Sequence, residues 1–141
     1  MSLESLMNTR VVSVTMDDTL EHVKEIFENV RFHHVLVIED DTLCGIVSDR
    51  DLFKALSPHI GLVSETPHDR ATLSKKVHQI MTRHVITLTP NDSVHDAISL
   101  FNRHMISCIP VVNAQRIPVG VVSWRDIFKA LEKRQQQTTK S

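Results

Sequence analysis

Two short stretches of the 141-residue chain carry the residue types best placed to do chemistry: Ser48-Asp49-Arg50-Asp51 and Ser123-Trp124-Arg125-Asp126. Each has a serine and an aspartate three apart with an arginine between them, where an apolar run of strand character gives way to a run of helical character. A helix start presents unpaired N–H groups and a partial positive charge, which favour phosphate, and a carboxylate near it can accept from two neighbouring ribose hydroxyls. Arg50 and Arg125 would add charge-assisted contacts to phosphate oxygens. The same S-x-x-D spacing is also a capping box, in which serine and aspartate satisfy each other's backbone donors. For one motif alone capping is the commoner explanation; its occurrence twice in one chain moves the balance toward a ligand.

Other chemistries find little support. Only Gly45, Gly61 and Gly120 occur, so no glycine-rich phosphate loop and no G-x-S-x-G nucleophile elbow can be written. Cys44 and Cys108 stand far apart, without C-x-x-C spacing, which fits reduced thiols in a cytoplasm. Nine histidines include no pair three or four apart, so no zinc site is expected. Ser48, Ser123 and Cys108 lack a local base and orienting group, and no enzyme is expected.

The elements that must position these residues come as a duplication. Residues 6–56 lie onto 80–131 at an offset of 74, rising to 75 before the second glycine. Gly45 to Leu56 and Gly120 to Leu131 are identical at nine of twelve positions; upstream, Met7 matches Met81, Asp18 matches Asp92 and Phe27 matches Phe101. Each copy reads β-α-β-β-α: a strand (Val11 to Thr15, Val85 to Thr89), a helix capped by Asp18 with Glu21 or Ser93 with Asp96, two strands (Val35 to Glu39 and Leu43 to Val47; Ile109 to Asn113 and Pro118 to Val122), and a final helix whose Leu52, Phe53 and Leu56, or their counterparts, face one side. A 50-residue unit cannot cover its apolar faces alone, so the twin completes the core. The expected organisation is repeat 1 at 6–56, a linker with a short helix over 71–79 at 57–79, repeat 2 at 80–131, and a fraying tail at 132–141. The fold class is α+β (α/β).

Sixteen Lys plus Arg against 17 Asp plus Glu leave a net charge of −1, which gives no electrostatic case for nucleic acid or an anionic membrane. The longest apolar stretches, such as Val35 to Ile38, are far shorter than the roughly 20 residues of a membrane span, and no signal peptide is evident.

The two copies resemble cystathionine-β-synthase (CBS) domains, and the whole resembles a tandem CBS pair, or Bateman module, of the stand-alone bacterial type found among acetoin-utilisation regulatory proteins. The resemblance rests on Leu6-Met7-Asn8-Thr9 and Ile80-Met81-Thr82, the Asp-Thr-Leu and Asp-Ser-Val helix starts, Ser107-Cys108-Ile109-Pro110-Val111-Val112, and the two G-h-V-S-x-R-D segments, over roughly 6–131. It implies a non-catalytic sensor whose repeats pack with pseudo-twofold symmetry, leaving clefts for AMP, ADP, ATP or S-adenosylmethionine as regulatory ligand rather than cofactor. It also implies a homodimer that signals to a protein partner. By matching position, Asp51 and Asp126 would hold ribose, and Ser48, Ser123, Arg50 and Arg125 would meet phosphate. The base would lie against Val11, Val12, His34 and Val35 in one copy and Val85, Ile86, Cys108 and Ile109 in the other, where Thr82, Ser107 and Pro110 are also expected among the ligand-binding residues. Leu36 stands where the family has the proline that Pro110 supplies, so the Ser123/Asp126 pocket is the one expected to be occupied. The alternative is a dimerisation or docking module in which both S-x-x-D pairs are only caps.

Overall fold

Alternating valines and leucines, with small polar turns between them, make two β-hairpins that each carry helices. In the computed structural model, which describes residues 1–139, the order is β1 (Ser13–Val14), α1 (Leu20–Asn29), β2 (His34–Glu39), β3 (Thr42–Ser48), α2 (Asp49–Ala55), α3 (Pro67–Arg70), α4 (Val94–Arg103), β4 (Cys108–Val112), β5 (Pro118–Ser123) and α5 (Trp124–Thr139). The chain is mixed α and β and contains the repeat twice. Its last helix continues to Thr139 where a fraying tail was expected from 132; residues 140–141 of that tail lie outside the described residues.

Two compact units form, and they cut across the sequence repeats: Val12–Val85 is one, and Met1–Val11 with the chain from Ile86 onward is the other. In the first, β1 runs parallel to β2, which pairs antiparallel with β3. Asp40 and Asp41, at φ 50° and 65°, close the hairpin in the left-handed region that aspartate tolerates better than most residues. Val35, Val37 and Val47 turn inward against Leu20 and Val23 of α1 and Leu52 of α2, all fully buried.

The segment 57–79, read from sequence as a linker, also feeds this core. Val77 is fully buried in it, Leu20 N–H donates to Lys75 O (2.9 Å) and Val77 N–H to Asp18 O (2.9 Å). These bonds use main-chain groups that a helix over 71–79 would need, and the backbone makes two 3-10 turns instead, Ala71–Ser74 and Val77–Gln79. In the second unit Leu3 plays the part of Val77: its N–H donates to Asp92 O (2.9 Å) and its side chain is buried with Leu88, Ala97, Ile109, Val111, Val122 and Ile127.

A single proline separates the two sheets. Leu36 N–H donates to Val12 O (3.0 Å), which helps lock β1 onto β2. Pro110, at the matching position, has no N–H to give. The expected strand over 85–89 is therefore reduced to one bridge, Leu88 with Val111, beside a two-stranded β4-β5 sheet.

Two helix details differ from expectation. Asp18 does not cap α1; its Oδ2 accepts from Thr15 N–H (2.8 Å), as Asp92 does from Thr89 N–H (2.8 Å), and Thr19 caps the helix by accepting from His22 N–H (3.3 Å). Ser93 and Asp96 do form the expected capping box. On the final helices, Leu52 and Ile127 point into the cores while Phe53 and Phe128 are 67% and 65% exposed. One position is about 100° of helical turn, enough to carry a side chain off a narrow apolar stripe.

Candidate functional site

β3 and β5 each end on a serine that starts a helix, and both S-x-x-D pairs close on themselves. Ser48 N–H donates to Asp51 Oδ2 (2.9 Å), and Asp51 N–H donates to Ser48 Oγ (3.1 Å). Ser123 N–H and Oγ–H both donate to Asp126 Oδ2 (2.8 and 3.1 Å), and Asp126 N–H donates to Ser123 Oγ (3.4 Å). The capping reading is thus realised in both copies. Only Oδ2 of each carboxylate enters its box, which leaves Oδ1 outside it, and the side chains of all four residues are only partly buried.

Strand register brings further residues to the same places. His34 pairs directly with Ser48, and Cys108 with Ser123. Directly opposed residues project from the same face of an antiparallel pair. Burial holds His34 below the ordinary histidine range, against the opposing pull of Asp49, so the neutral imidazole is favoured beside Ser48. Burial pushes the Cys108 thiol up to about 12, with the charge of Asp126 adding to it; a neutral, poorly nucleophilic sulfur faces that site. His33, exposed, bonds through Nδ1 to Asp49 Oδ2 (2.9 Å). Trp124, at the position matching Asp49, makes an edge-to-face contact with Phe101 instead, with ring centroids 6.2 Å apart.

The seventeen expected site residues divide between the units. Val12, His34, Val35, Ser48, Arg50, Asp51, Thr82 and Val85 belong to one, and Val11, Ile86, Ser107, Cys108, Ile109, Pro110, Ser123, Arg125 and Asp126 to the other, so Val11 is not in the unit of Val12, His34 and Val35 with which it was grouped. Thr82, grouped from sequence with the second repeat, exchanges main-chain bonds with Ile46 of β3 (3.1 and 2.9 Å), two residues from Ser48. Asn8 exchanges the matching pair with Val121 of β5 (2.8 and 2.9 Å), two residues from Ser123. Asn8, whose Oδ1 also accepts from Arg10 N–H (2.9 Å), was not singled out from sequence. Val35 and Ile109 are fully buried in the two cores, main chain included, so neither offers a surface to a ligand. Arg50 and Arg125 are exposed.

Among the described residues no group of three His, Cys, Asp or Glu side chains could hold a metal ion, and no helix is long and apolar enough to cross a membrane.

The chain covers 94% of its length in a match, 28% identical, to L-aspartate semialdehyde sulfurtransferase of Methanosarcina acetivorans, but spans only 24% of that protein. Among solved structures, a protein assigned to acetoin utilization (AcuB) from Vibrio cholerae superposes with a TM-score of 0.81 at 21% identity, covering 100% of this chain and 97% of that one. The CBS domain pair of protein MJ0100, solved with 5′-methylthioadenosine and S-adenosyl-L-methionine, gives 0.76 at 24%, covering 95% and 98%. CBSX2, solved with AMP, gives 0.79 at 23%, covering 95% and 98%. With its fold shared with these structures, and with the CBS-domain family model matching residues 3–58 and 77–133, the chain belongs to the CBS domain family.

Proposed function

We propose that the chain is a non-catalytic regulatory module that binds an adenosine-containing small molecule at its S-x-x-D helix mouths and signals to a protein partner in the cytoplasm. The observation that carries this reading is the duplicated box in which one carboxylate oxygen is fixed and the other is left for ligand hydroxyls. A capping aspartate that also binds ribose is held in position before the ligand arrives, which lowers the entropy lost on binding. Ser48 and Ser123, with Arg50 and Arg125, would receive phosphate, and the main chain beside His34 and Cys108 would receive the base. The adenosine ligands of MJ0100 and CBSX2 support the ligand class. Micromolar binding, about 8 kcal/mol at the standard state, exceeds the few kcal/mol needed to shift a two-state equilibrium, provided the ligand prefers one state.

We also propose self-association. Phe53 and Phe128 sit at matching positions and are both exposed, joined on α5 by Trp124 and Leu131 at helical spacing, so a second copy would bury equivalent aromatic ridges.

The alternative is a docking module whose S-x-x-D pairs only cap helices, and the bonds back to the main chain favour it. Calorimetry with AMP, ADP, ATP, 5′-methylthioadenosine and S-adenosylmethionine separates the two. Saturable heat with at least one ligand is expected for a sensor; no heat and no thermal shift at millimolar concentration is expected for a scaffold.

A further inference from the structure

The two helix mouths carry different charge. In the first, Asp49 follows Ser48 directly, so the segment 48–51 holds two acids and one base; in the second, Trp124 stands at that position, and 123–126 holds one of each. Asp49 is anchored in place: its N–H donates to His33 O (2.9 Å), and its Oδ2 meets His33 Nδ1 (2.9 Å). At the matching positions of the second mouth, Ser107 and Trp124 carry no charge, and the Trp124 ring packs edge-to-face on Phe101.

The difference is felt at the strand residue opposite each serine. Burial lowers the affinity of His34 for a proton, and Asp49 and Asp51 both oppose it; at Cys108 burial is reinforced by Asp126 alone. Two carboxylates thus act at the first mouth and one at the second. Asp49 and Asp51 also share the first turn of the seven-residue α2, whereas Asp126 is the acid in the first turn of the sixteen-residue α5. A carboxylate in a first turn already satisfies the partial positive charge that would otherwise draw an anion, and a nucleotide phosphate placed beside a second carboxylate is repelled. We propose that ligand charge divides between the mouths: the Ser123/Asp126 mouth favours adenosine compounds that carry phosphate, and Asp49 biases the Ser48/Asp51 mouth toward those that carry none. This deepens the function proposed above and rests on it. Asp49 is then a specificity residue, acting on the 5′ substituent while Asp51 keeps the ribose.

AMP and 5′-methylthioadenosine share the nucleoside and differ in charge at the 5′ position, so they are the probes, titrated into the full chain by calorimetry and amide NMR at pH 8, above the ordinary histidine range. In the wild type AMP should shift amides of 123–126 at concentrations at least about tenfold below those that shift 48–51. Asp49→Asn, which keeps a polar partner for His33, should raise AMP affinity at 48–51 by about tenfold or more and leave that of 5′-methylthioadenosine unchanged. Trp124→Asp should weaken AMP at 123–126 by a similar factor relative to Trp124→Asn, since both lose the ring and they differ in charge alone. Should either Trp124 variant fail to fold, as judged by its thermal midpoint, Asp49→Asn decides. AMP affinity at the first mouth that is equal in Asp49→Asn and wild type, or wild-type AMP shifts centred on 48–51, would overturn the division. Binding of 5′-methylthioadenosine without AMP would overturn it and leave the adenosine reading standing; binding of neither would overturn both.

Discussion

Gly45 lies against Met81 so closely that a β-carbon added to the glycine would come within 2.7 Å of Met81 Sδ and 3.1 Å of Thr82 O. Gly120 stands in the same relation to Met7 Sδ and Asn8 O, at 2.7 and 3.1 Å. Each glycine admits a methionine from the opening segment of the other sequence repeat, and this close approach fixes that segment alongside the strand that ends in the S-x-x-D box. Gly120→Ala is expected to cost about 1–3 kcal/mol, the usual range for overpacking. The methionine can shift, but the carbonyl at 3.1 Å is main chain. Urea denaturation of Gly120→Ala, Met7→Ala and the double variant checks this: the double variant should be more stable than the sum of the single losses, whereas strict additivity would mean that the pair does not touch.

Cys108 should resist thiol reagents in the native protein. With its thiol pushed up to about 12, the thiolate at pH 8 is roughly one part in ten thousand. Mass spectrometry after brief exposure to iodoacetamide should find Cys108 unmodified until urea is added; native-state labelling as fast as that of a free peptide thiol would contradict the burial described.

Stability should fall in two stages on acidification. His34 is lowered by burial from 6.5, so the unfolded chain takes up its proton first, and the stability His34 contributes is lost as pH falls from about 6.5 through the lowered native value. The Asp96 and Asp69 carboxylates are held below the ordinary range chiefly by the backbone N–H groups of Ser93 and Thr66. Their contribution is complete above about pH 4 and is lost as pH falls through their native values. Urea midpoints measured between pH 8 and pH 3 should show both stages, and His34→Gln should remove the upper one. An unchanged upper stage in that variant would assign it elsewhere.

Phe53→Glu/Phe128→Glu should be monomeric in sedimentation velocity at concentrations where the wild type is dimeric, with its melting temperature little changed, since neither ring belongs to a core. A wild-type monomer, or a variant dimer, would remove these rings from an interface.

Much of this architecture was legible in the sequence because the repeat states each element twice: the hairpins, both final helices and the S-x-x-D boxes follow from it. What escaped has physical causes. Which repeat's opening segment joins which sheet is not written locally, because Met7 and Met81 match each other and so do Gly45 and Gly120; only the folded chain shows the exchange. The missing strand near Ile86 depends on one absent N–H at Pro110, about twenty residues away in sequence, which the β-prone run Val85 to Thr89 does not itself encode. The outward turn of Phe53 and Phe128 defeats a rule that places large apolar side chains inside. The box was recognisable, but its spacing serves cap and ligand alike, so Asn8 and Thr82 became visible as its neighbours only through strand pairing.

Most direct of all is a comparison of AMP with 2′,3′-dideoxy-AMP, by calorimetry, on the wild type, Asp51→Asn and Asp126→Asn. Asparagine can still accept from the serine N–H and so preserves the fold. If a capping aspartate also holds ribose, loss of the two hydroxyls should cost the wild type at least tenfold in affinity, and that penalty should disappear in one of the two variants. Equal affinity for both nucleotides, or a penalty that persists in both variants, would show that the carboxylates serve only their own helices.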